Sequence, residues 1–336
     1  VNVEFTHAEH TRRTGNPEEA LRVATAALEL ARDRLGPEHP EVAYAHDYVN
    51  GALVGLDRYA AALEHKRSAI EVLENAYGPD SLAVSVLLNT AGTIARLAGE
   101  HTQAKRWHTR AIAIVEANLG PHSPRLATGL LAAALSAQAR GDADEAVRFL
   151  DRQLALQERE GVASHTATLF RIDALILGRH LERAETAYQE AVRALASAGS
   201  DASAWDRSGT LRAGAQLALL QGDTALAVTR ASEAIDAAEN DPPGPPPPPL
   251  ILAPAQLQQG NLEKGRASLE LAAASGAASA GTLPSTVAEL RVTLLALARA
   301  TDDPRIEEKR ALALASARRA FGTRHPDRRA LEKTGG

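Results

Sequence analysis

The chain has 336 residues and a formal net charge of −5, too small a charge to point to a nucleic acid or an acidic surface as its partner. Hydrophobic residues make up 45% of it and aromatic residues only 3%, which suits helices packed through small side chains and leaves little for sheets. Cysteine is absent, so disulfides, thiol nucleophiles and zinc–thiolate sites are excluded. Because the absence of cysteine fits a reducing compartment, we expect a cytoplasmic protein.

The N-terminal residues carry no targeting signal. No signal peptide opens the chain, and no run of about 18 apolar residues follows, so no membrane partner is expected. Methionine is absent, including at position 1, and residues 1–5 resemble the inside of a helix. We therefore interpret the chain as a fragment whose first helix pair is truncated, with the second helix of that pair starting at Pro17.

Two short patterns recur every 42 residues in the first half of the chain. Each copy of the first pattern has a glycine followed by a proline, and these glycines are Gly36, Gly78 and Gly120. The second pattern lies about halfway between, at Gly15, Asp57, Gly99 and Gly141. A fixed period of 20–50 residues is the signature of a solenoid or repeat array. Such a chain need not divide into globular domains, because each repeat mainly contacts its neighbours.

Each repeat is predicted to contain two antiparallel helices. In the first complete repeat they span residues 41–56 and 59–76, where apolar and small residues recur at steps of three and four. The break between them is short, which makes the two helices antiparallel neighbours. The glycines of the first pattern are expected to end the second helices in the left-handed conformation, with the proline starting the next segment.

The period decays after residue 161. Further helix pairs are predicted over 164–177 with 181–198, 205–220 with 224–239, 250–259 with 262–274, and 287–300 with 304–320. The proline run before residue 250 is predicted to be a polyproline II spacer or loop. We therefore divide the chain into a regular array over 1–161, degenerate pairs over 162–241, a proline-rich linker over 242–249, and degenerate pairs with a basic capping helix over 250–336.

Small residues recur at one position in the second helix of each repeat: Ala20, Ala62, Ala104 and Ala146. Together with the segment 88–92 and the glycine at 99, this pattern resembles the tetratricopeptide repeat. The 42-residue period with its Gly-Pro joint resembles the kinesin-light-chain type of that repeat. The resemblance implies an all-α fold, a right-handed superhelix or α-α solenoid of about seven helix pairs. Residues 310–322 are also similar to the closing helix of the repeat regions that follow bacterial serine/threonine kinase domains.

No motif of a catalytic or cofactor site occurs. The sequence lacks a phosphate-binding Gly-x-x-x-x-Gly-Lys loop, a Gly-x-Ser-x-Gly elbow and a His-Glu-x-x-His pair. His7 and His10 are three residues apart and could face one metal ion, but no third ligand is in view, and a polar chain end is the favoured interpretation. We predict that this chain is not an enzyme and has no catalytic residue, cofactor or metal site.

The family resemblance implies that the first helix of each pair lines a concave groove in which peptides lie. The groove candidates are Tyr44, Asp47, Tyr48, Asn89, Thr93, Arg96, Leu131 and Gln138, continued by Arg212 and Gln216. Asn89 is the leading candidate, because its amide can both donate to and accept from a peptide backbone. Arg96 could pair with a ligand carboxylate. The alternative is that Asn89 bonds to a neighbouring helix and that the other candidates are ordinary solvated positions.

The leading hypothesis is a non-catalytic interaction module that binds a protein or peptide. The family resemblance implies that the module is the regulatory region of a larger bacterial signalling protein such as a serine/threonine kinase. Two alternatives remain open: a structural or self-associating scaffold, and the repeat region of a bacterial transcriptional regulator.

Overall fold

The structure is a computed structural model, and it describes residues 16–161, 164–199, 202–238, 249–277, 291–296, 298–299 and 303–333. These residues form helices and connections, and none of them lies in a strand. The predicted all-α fold is therefore confirmed. The candidate metal pair His7 and His10 lies outside the described residues.

The helices follow one another along the chain with short connections between most of them. Their bounds are α1 Pro17–Leu35, α2 Pro40–Gly55, α3 Tyr59–Tyr77, α4 Leu82–Leu97, α5 His101–Leu119, α6 Leu126–Arg140, α7 Ala143–Arg159, α8 His165–Leu177, α9 Leu181–Ala198, α10 Ala204–Gln221, α11 Thr224–Ala238, α12 Pro249–Gln258, α13 Leu262–Ala277, α14 Ile306–Ala320 and α15 Pro326–Lys333. Residues 291–296 and 298–299 are also helical. We call the even-numbered helices α2 to α12 the A helices, and the odd-numbered helices α1 to α13 the B helices.

The predicted helix pairs agree with these bounds to within about two or three residues, as expected for helix ends, except that the helix predicted over 287–300 lies only partly within the described residues. Two details were wrong. Pro249, assigned to the linker, begins α12, since proline tolerates the first turn of a helix; the rest of the linker lies outside the described residues. The helix α15 was missed, although its start at Pro326 follows a histidine just as α2 follows His39.

The chain divides into two compact units, Val1–Ser136 and Ala137–Gly336, with the division inside α6. In the first unit each helix packs against its neighbours in sequence: α1 on α2, α2 on α3, α3 on α4, and α4 on α5. The small residues predicted to allow this close packing are fully buried, as at Ala62 and Ala104. Val49 and Leu53 of α2 share one apolar cluster with Ile94 of α4, so successive A helices contribute to a common core.

The joints between repeats use glycine for a different reason from the one predicted. Gly36, Gly78 and Gly120 all have φ of 84°, but ψ is 155°, 154° and 163°. This conformation is not the left-handed helical one that we expected. It is a region that only glycine enters readily. The joint glycines are therefore more restricted to glycine than a left-handed helix cap would be.

The second unit contains a contact between its two ends. Gly322 N donates to Ala139 O at 2.7 Å, and Arg324 donates to the Asp142 carboxylate at 2.8 Å across a separation of 182 residues. Gly141 makes room for this approach, since a Cβ on it would lie 2.5 Å from the backbone of Arg324. We call this set the closing contact. It was not predicted, because no sequence period links its two sides.

The closing contact is polar and partly buried. Burial raises the pKa of Asp142, but hydrogen bonds from Arg324 and Arg140 outweigh it, and the pKa is lowered. Beside the contact, His325 stacks on Phe321 with ring centroids 3.8 Å apart and an angle of 6° between the rings. Burial lowers the pKa of His325 to about 4.

Candidate peptide-binding face

Two A helices of the first unit, α2 and α4, each expose one stripe of side chains. On α2 the stripe contains Tyr44, Asp47 and Tyr48; on α4 it contains Val86, Asn89, Thr90, Thr93 and Arg96. Steps of three and four residues place side chains on one helix face. We call these eight residues the A-helix face. Its most exposed apolar members are Tyr44, at 43% exposure, and Val86, at 63%.

Asn89 is held by a buried histidine on the following B helix. Its Oδ1 lies 3.0 Å from His108 Nδ1, and His108 is only 1% exposed. The imidazole fits because residue 92 is glycine: a Cβ there would lie 2.6 Å from ring atoms of His108. The bond to a neighbouring helix, which we considered as the alternative role, therefore exists. It uses the carbonyl oxygen of Asn89, and within the described chain the Nδ2 amide group has no hydrogen-bond partner.

Asp47 is held in the same way one repeat earlier. Its Oδ1 accepts a hydrogen bond from the Lys66 ammonium, and Lys66 is 2% exposed while the Asp47 side chain is 41% exposed. Burial lowers the pKa of Lys66, and the Asp47 charge partly opposes this. The cation is thus buried, and the carboxylate lies at the boundary with solvent.

Arg96 is the cation of the A-helix face. It is half-buried in the last turn of α4, where a positive charge is favoured by the helix dipole. Burial lowers the pKa of Arg96, with Tyr59 acting in the opposite direction. Unlike Lys66, Arg96 makes no ion pair with any residue that the structure describes. A ligand carboxylate would supply the missing charge.

The other groove candidates divide between the two units. Thr93 Oγ1 donates to the Asn89 carbonyl within α4 at 3.3 Å, and Leu131 is half-buried on α6. Gln138 belongs to the second unit and donates to the Phe170 carbonyl at 3.0 Å. Arg212 and Gln216 also belong to the second unit.

In the second unit the side chain of Arg212 donates to Asp173 at 2.7 Å, which joins the A helices α8 and α10. Gln216, one turn further along α10, is half-buried. Asp47 and Asn89 each lie ten residues before the positive-φ residue that ends the turn after their helix, Asp57 and Gly99, whereas Asp173 lies only six residues before Arg179. Asp173 is therefore one helical turn beyond the position of Asp47 and Asn89, and Arg212, ten residues before Gly222, is the residue that holds that position. The structure therefore does not bring Arg212 and Gln216 together with Asn89 in one unit.

A histidine pair lies beneath the A-helix face. The Nδ1 atoms of His46 and His65 are 2.9 Å apart, and Arg32 Nη2 is 3.0 Å from His46 Nε2. His46 is 4% exposed and stands where the next two repeats have Leu88 and Leu130. The sequence did not lead us to predict this pair. A histidine at a position that is leucine in the next two repeats indicates a buried polar contact and could have led to it.

Comparison with known proteins finds a family match in the first part of the chain. Models of the tetratricopeptide repeat match residues 11–41, 51–117 and 86–159, so these segments are recognised as tetratricopeptide repeats. Among curated proteins, none matches the chain. No helix among the described residues combines the length and apolarity needed to cross a bilayer.

Several solved structures share the fold. A putative kinesin light chain from Podosopora anserina, with nearly identical repeats, is 17% identical, with 57% of this chain and 93% of that chain covered and a TM-score of 0.52. A Rap protein complexed with competence and sporulation factor is 14% identical, with coverages of 94% and 88% and a TM-score of 0.59. NprR in complex with its cognate peptide NprX is 11% identical, with coverages of 99% and 96% and a TM-score of 0.59. At these identities the likeness establishes the α-α solenoid fold.

Proposed function

We propose that the first unit binds an extended peptide, or a peptide-like segment of a protein, on its A-helix face. The observation that carries the proposal is Arg96, a half-buried cation with no ion pair among the described residues, on the same face as Asn89 with its available amide group. Exposed Tyr44 and Val86 add apolar surface on this face. Together these residues offer a charge, hydrogen bonds and apolar contacts, which is what a peptide with an acidic and an apolar side chain needs.

The solved relatives support this proposal as analogies. NprR was determined with a cognate peptide, and the Rap protein was determined in complex with a factor. Their fold is the one found here, and their low identity leaves the residues of this chain to be tested directly.

A selection experiment tests the proposal. A displayed library of random peptides about twelve residues long is selected against the wild-type protein, and the enriched peptides are measured against Asn89→Ala and Arg96→Ala. We expect each variant to weaken binding by about tenfold, the value of one charge-assisted or buried hydrogen bond. The matched controls are Asn75→Ala and Arg22→Ala, which remove the same chemical groups from exposed positions on B helices.

Enriched peptides that bind Asn89→Ala and Arg96→Ala as tightly as the wild type would contradict the proposed site. Failure to enrich any peptide would contradict the proposed function itself. Correct folding of each variant is checked by its urea unfolding midpoint.

The larger context is also a proposal. We infer that this chain is the regulatory region of a bacterial signalling protein in the cytoplasm, such as a serine/threonine kinase, supported by the similarity of residues 310–322 to the closing helix of such regions. Reading the coding sequence upstream of Val1 tests it. A kinase catalytic loop there would support it, and a DNA-binding domain would favour the transcriptional-regulator alternative instead.

Self-association is a second candidate role, favoured by one observation. The large apolar residue before each joint glycine is exposed in three successive repeats, Leu35 at 41%, Tyr77 at 53% and Leu119 at 42%. Apolar side chains repeated along one edge offer a surface through which two copies can associate. The solution mass of the wild type, compared with that of the triple variant Leu35→Ser, Tyr77→Ser and Leu119→Ser, tests this role. A monomeric mass for the wild type at high concentration would rule it out. Apolar exposure at the truncated edge, residues 1–13, would also favour self-association, but that edge lies outside the described residues.

A further inference from the structure

Two buried B-helix residues lie behind two of the polar residues of the A-helix face, Asp47 and Asn89. Lys66 bonds to Asp47 and His108 bonds to Asn89, and each pair is 19 residues apart. Asp47 and Asn89 are themselves 42 residues apart, as are Lys66 and His108. The same arrangement therefore occurs twice, with different chemistry.

The third repeat has apolar residues at both equivalent positions. These are Leu131 on the A helix and Leu150 on the B helix, the second of which is fully buried. The two positions thus change from polar to apolar together. A buried polar residue on the B helix is costly unless it is hydrogen-bonded, so its partner on the A helix is constrained as well.

We infer that Lys66 and His108 are positioning residues that fix a hydrogen-bond acceptor at Asp47 and a donor at Asn89 for an extended peptide backbone. This inference rests on the proposed function and specifies how the ligand is recognised. The peptide presents a neutral N–H to Asp47 and a carbonyl oxygen to Asn89 as it passes from α2 to α4.

The acceptor at Asp47 follows from its ion pair with Lys66. The Lys66 ammonium holds one carboxylate oxygen, and within the described residues the other oxygen, Oδ2, has no partner. The charges of Lys66 and Asp47 cancel. Asp47 Oδ2 therefore accepts a hydrogen bond from a neutral donor and has no preference for a positively charged one. A backbone N–H meets that requirement.

The donor at Asn89 follows from its bond to His108. An amide oxygen only accepts hydrogen bonds, so the His108 Nδ1 atom carries the hydrogen that it shares with Asn89 Oδ1. This bond fixes which way the Asn89 amide is turned. Both hydrogens of Nδ2 are then directed away from His108, and they are available to a carbonyl oxygen of the ligand.

The first test needs no ligand. Long-range ¹H–¹⁵N spectra of the full chain give the tautomer of each histidine, with His108→Gln used to assign the His108 signals. We expect a hydrogen on Nδ1 of His108. A neutral ring protonated only on Nε2 would overturn the inference for Asn89, whether or not any peptide binds.

The second test uses the peptides selected by the wild-type protein, each methylated at one backbone nitrogen at a time. One position is expected to lose about tenfold in affinity for the wild type, as removal of one backbone donor does. The double variant Asp47→Leu with Lys66→Leu has the residue types of the third repeat. Its affinity for the peptide is expected to be unchanged by methylation at that position. An equal loss in the double variant would overturn the role of Lys66 and Asp47.

His108→Leu and His108→Gln complete the second test, because glutamine can donate to Asn89 and leucine cannot. We expect His108→Leu to weaken peptide binding about tenfold and His108→Gln to restore at least part of the loss. Equal loss in both would overturn the positioning role of His108. If no peptide is selected, the proposed function fails and the spectra alone decide the inference.

Discussion

His46 and His65 meet through their Nδ1 atoms, 2.9 Å apart between α2 and α3. On its other side, His46 Nε2 lies 3.0 Å from an Arg32 nitrogen, which is always a donor. His46 therefore accepts at Nε2 and, as a neutral ring, donates at Nδ1 to His65. Burial, followed by the charges of His65 and Arg32, lowers the pKa of His46 from 6.5 to about 4.

This pair predicts that the first unit loses stability in mild acid. Between pH 6.5 and about 4 the unfolded chain protonates His46 and the folded chain does not, so the unfolded state binds more protons and stability falls as the pH falls. The full shift corresponds to roughly 3 kcal/mol. Urea unfolding near pH 7 and near pH 5, followed by Trp107 fluorescence in a Trp205→Phe background, measures the effect.

His46→Leu, which restores the residue type of the next two repeats, is expected to flatten this pH dependence. The control is His122→Gln, at an exposed joint residue, which should leave the pH dependence of the wild type in place. An unchanged slope in His46→Leu would contradict the assignment to His46.

The ion pair of Lys66 and Asp47 predicts unequal effects of removing its two members. Asp47→Leu leaves a buried ammonium without its partner, whereas Lys66→Met leaves a carboxylate that solvent can reach. We expect Asp47→Leu to lower the free energy of unfolding by about 1–3 kcal/mol, discounted from a fully buried pair because Asp47 is partly exposed. Lys66→Met should cost less than half of that.

Urea unfolding of both variants checks this order. Glu64→Ala, which breaks the exposed pair with Arg67 on α3, is the control and should change stability by less than about 0.5 kcal/mol. A larger loss in Lys66→Met than in Asp47→Leu would contradict the prediction.

Alanine substitutions at two A-helix glycines are expected to change the stability of the protein in opposite directions. At Gly92 a Cβ would lie 2.6 Å from the His108 ring, whereas at Gly129 the nearest atom, on Ile112, is 3.5 Å away. Gly129→Ala should stabilise the protein by up to about 1 kcal/mol through helix propensity. Gly92→Ala should destabilise it by about 1–3 kcal/mol, because the ring is displaced. Thermal unfolding of both variants makes the comparison, and stabilisation by Gly92→Ala would show that the ring adapts freely.

The closing contact predicts a difference between two left-handed glycines of the second unit. Gly141 and Gly222 have φ of 81° and 86°, so alanine costs about 1–2 kcal/mol of backbone strain at either position. Only at Gly141 does the added Cβ meet the backbone of Arg324; at Gly222 nothing lies within 4 Å. Gly141→Ala should therefore cost at least about 1 kcal/mol more.

Trp205 fluorescence in a Trp107→Phe background follows the unfolding of the second unit in both variants. Equal losses would contradict the closing contact.

The sequence period was sufficient to predict the helix pairs and the position of Asp47 and Asn89 on the A helices. The contacts of Lys66 with Asp47 and of His108 with Asn89 were not predicted. A polar residue on a helix is ordinarily predicted to face solvent, and the separation of 19 residues places the two partners on different helices. In the third repeat both equivalent positions are leucine, at Leu131 and Leu150, and this joint change from polar to apolar is the sequence signal that the two positions are paired. The closing contact has no comparable sequence signal, since it joins backbone and side-chain groups 182 residues apart.

That separation affects how the second unit is made. Synthesis at about 5–20 residues per second places Asp142 outside the ribosome roughly ten to forty seconds before Arg324 follows. Helices α7 to α9 therefore assemble first through neighbours in sequence, which form quickly because their contact order is low. The final step, which brings two distant segments together, carries a larger loop-closure entropy. We expect it to be the slow phase in the refolding of the second unit.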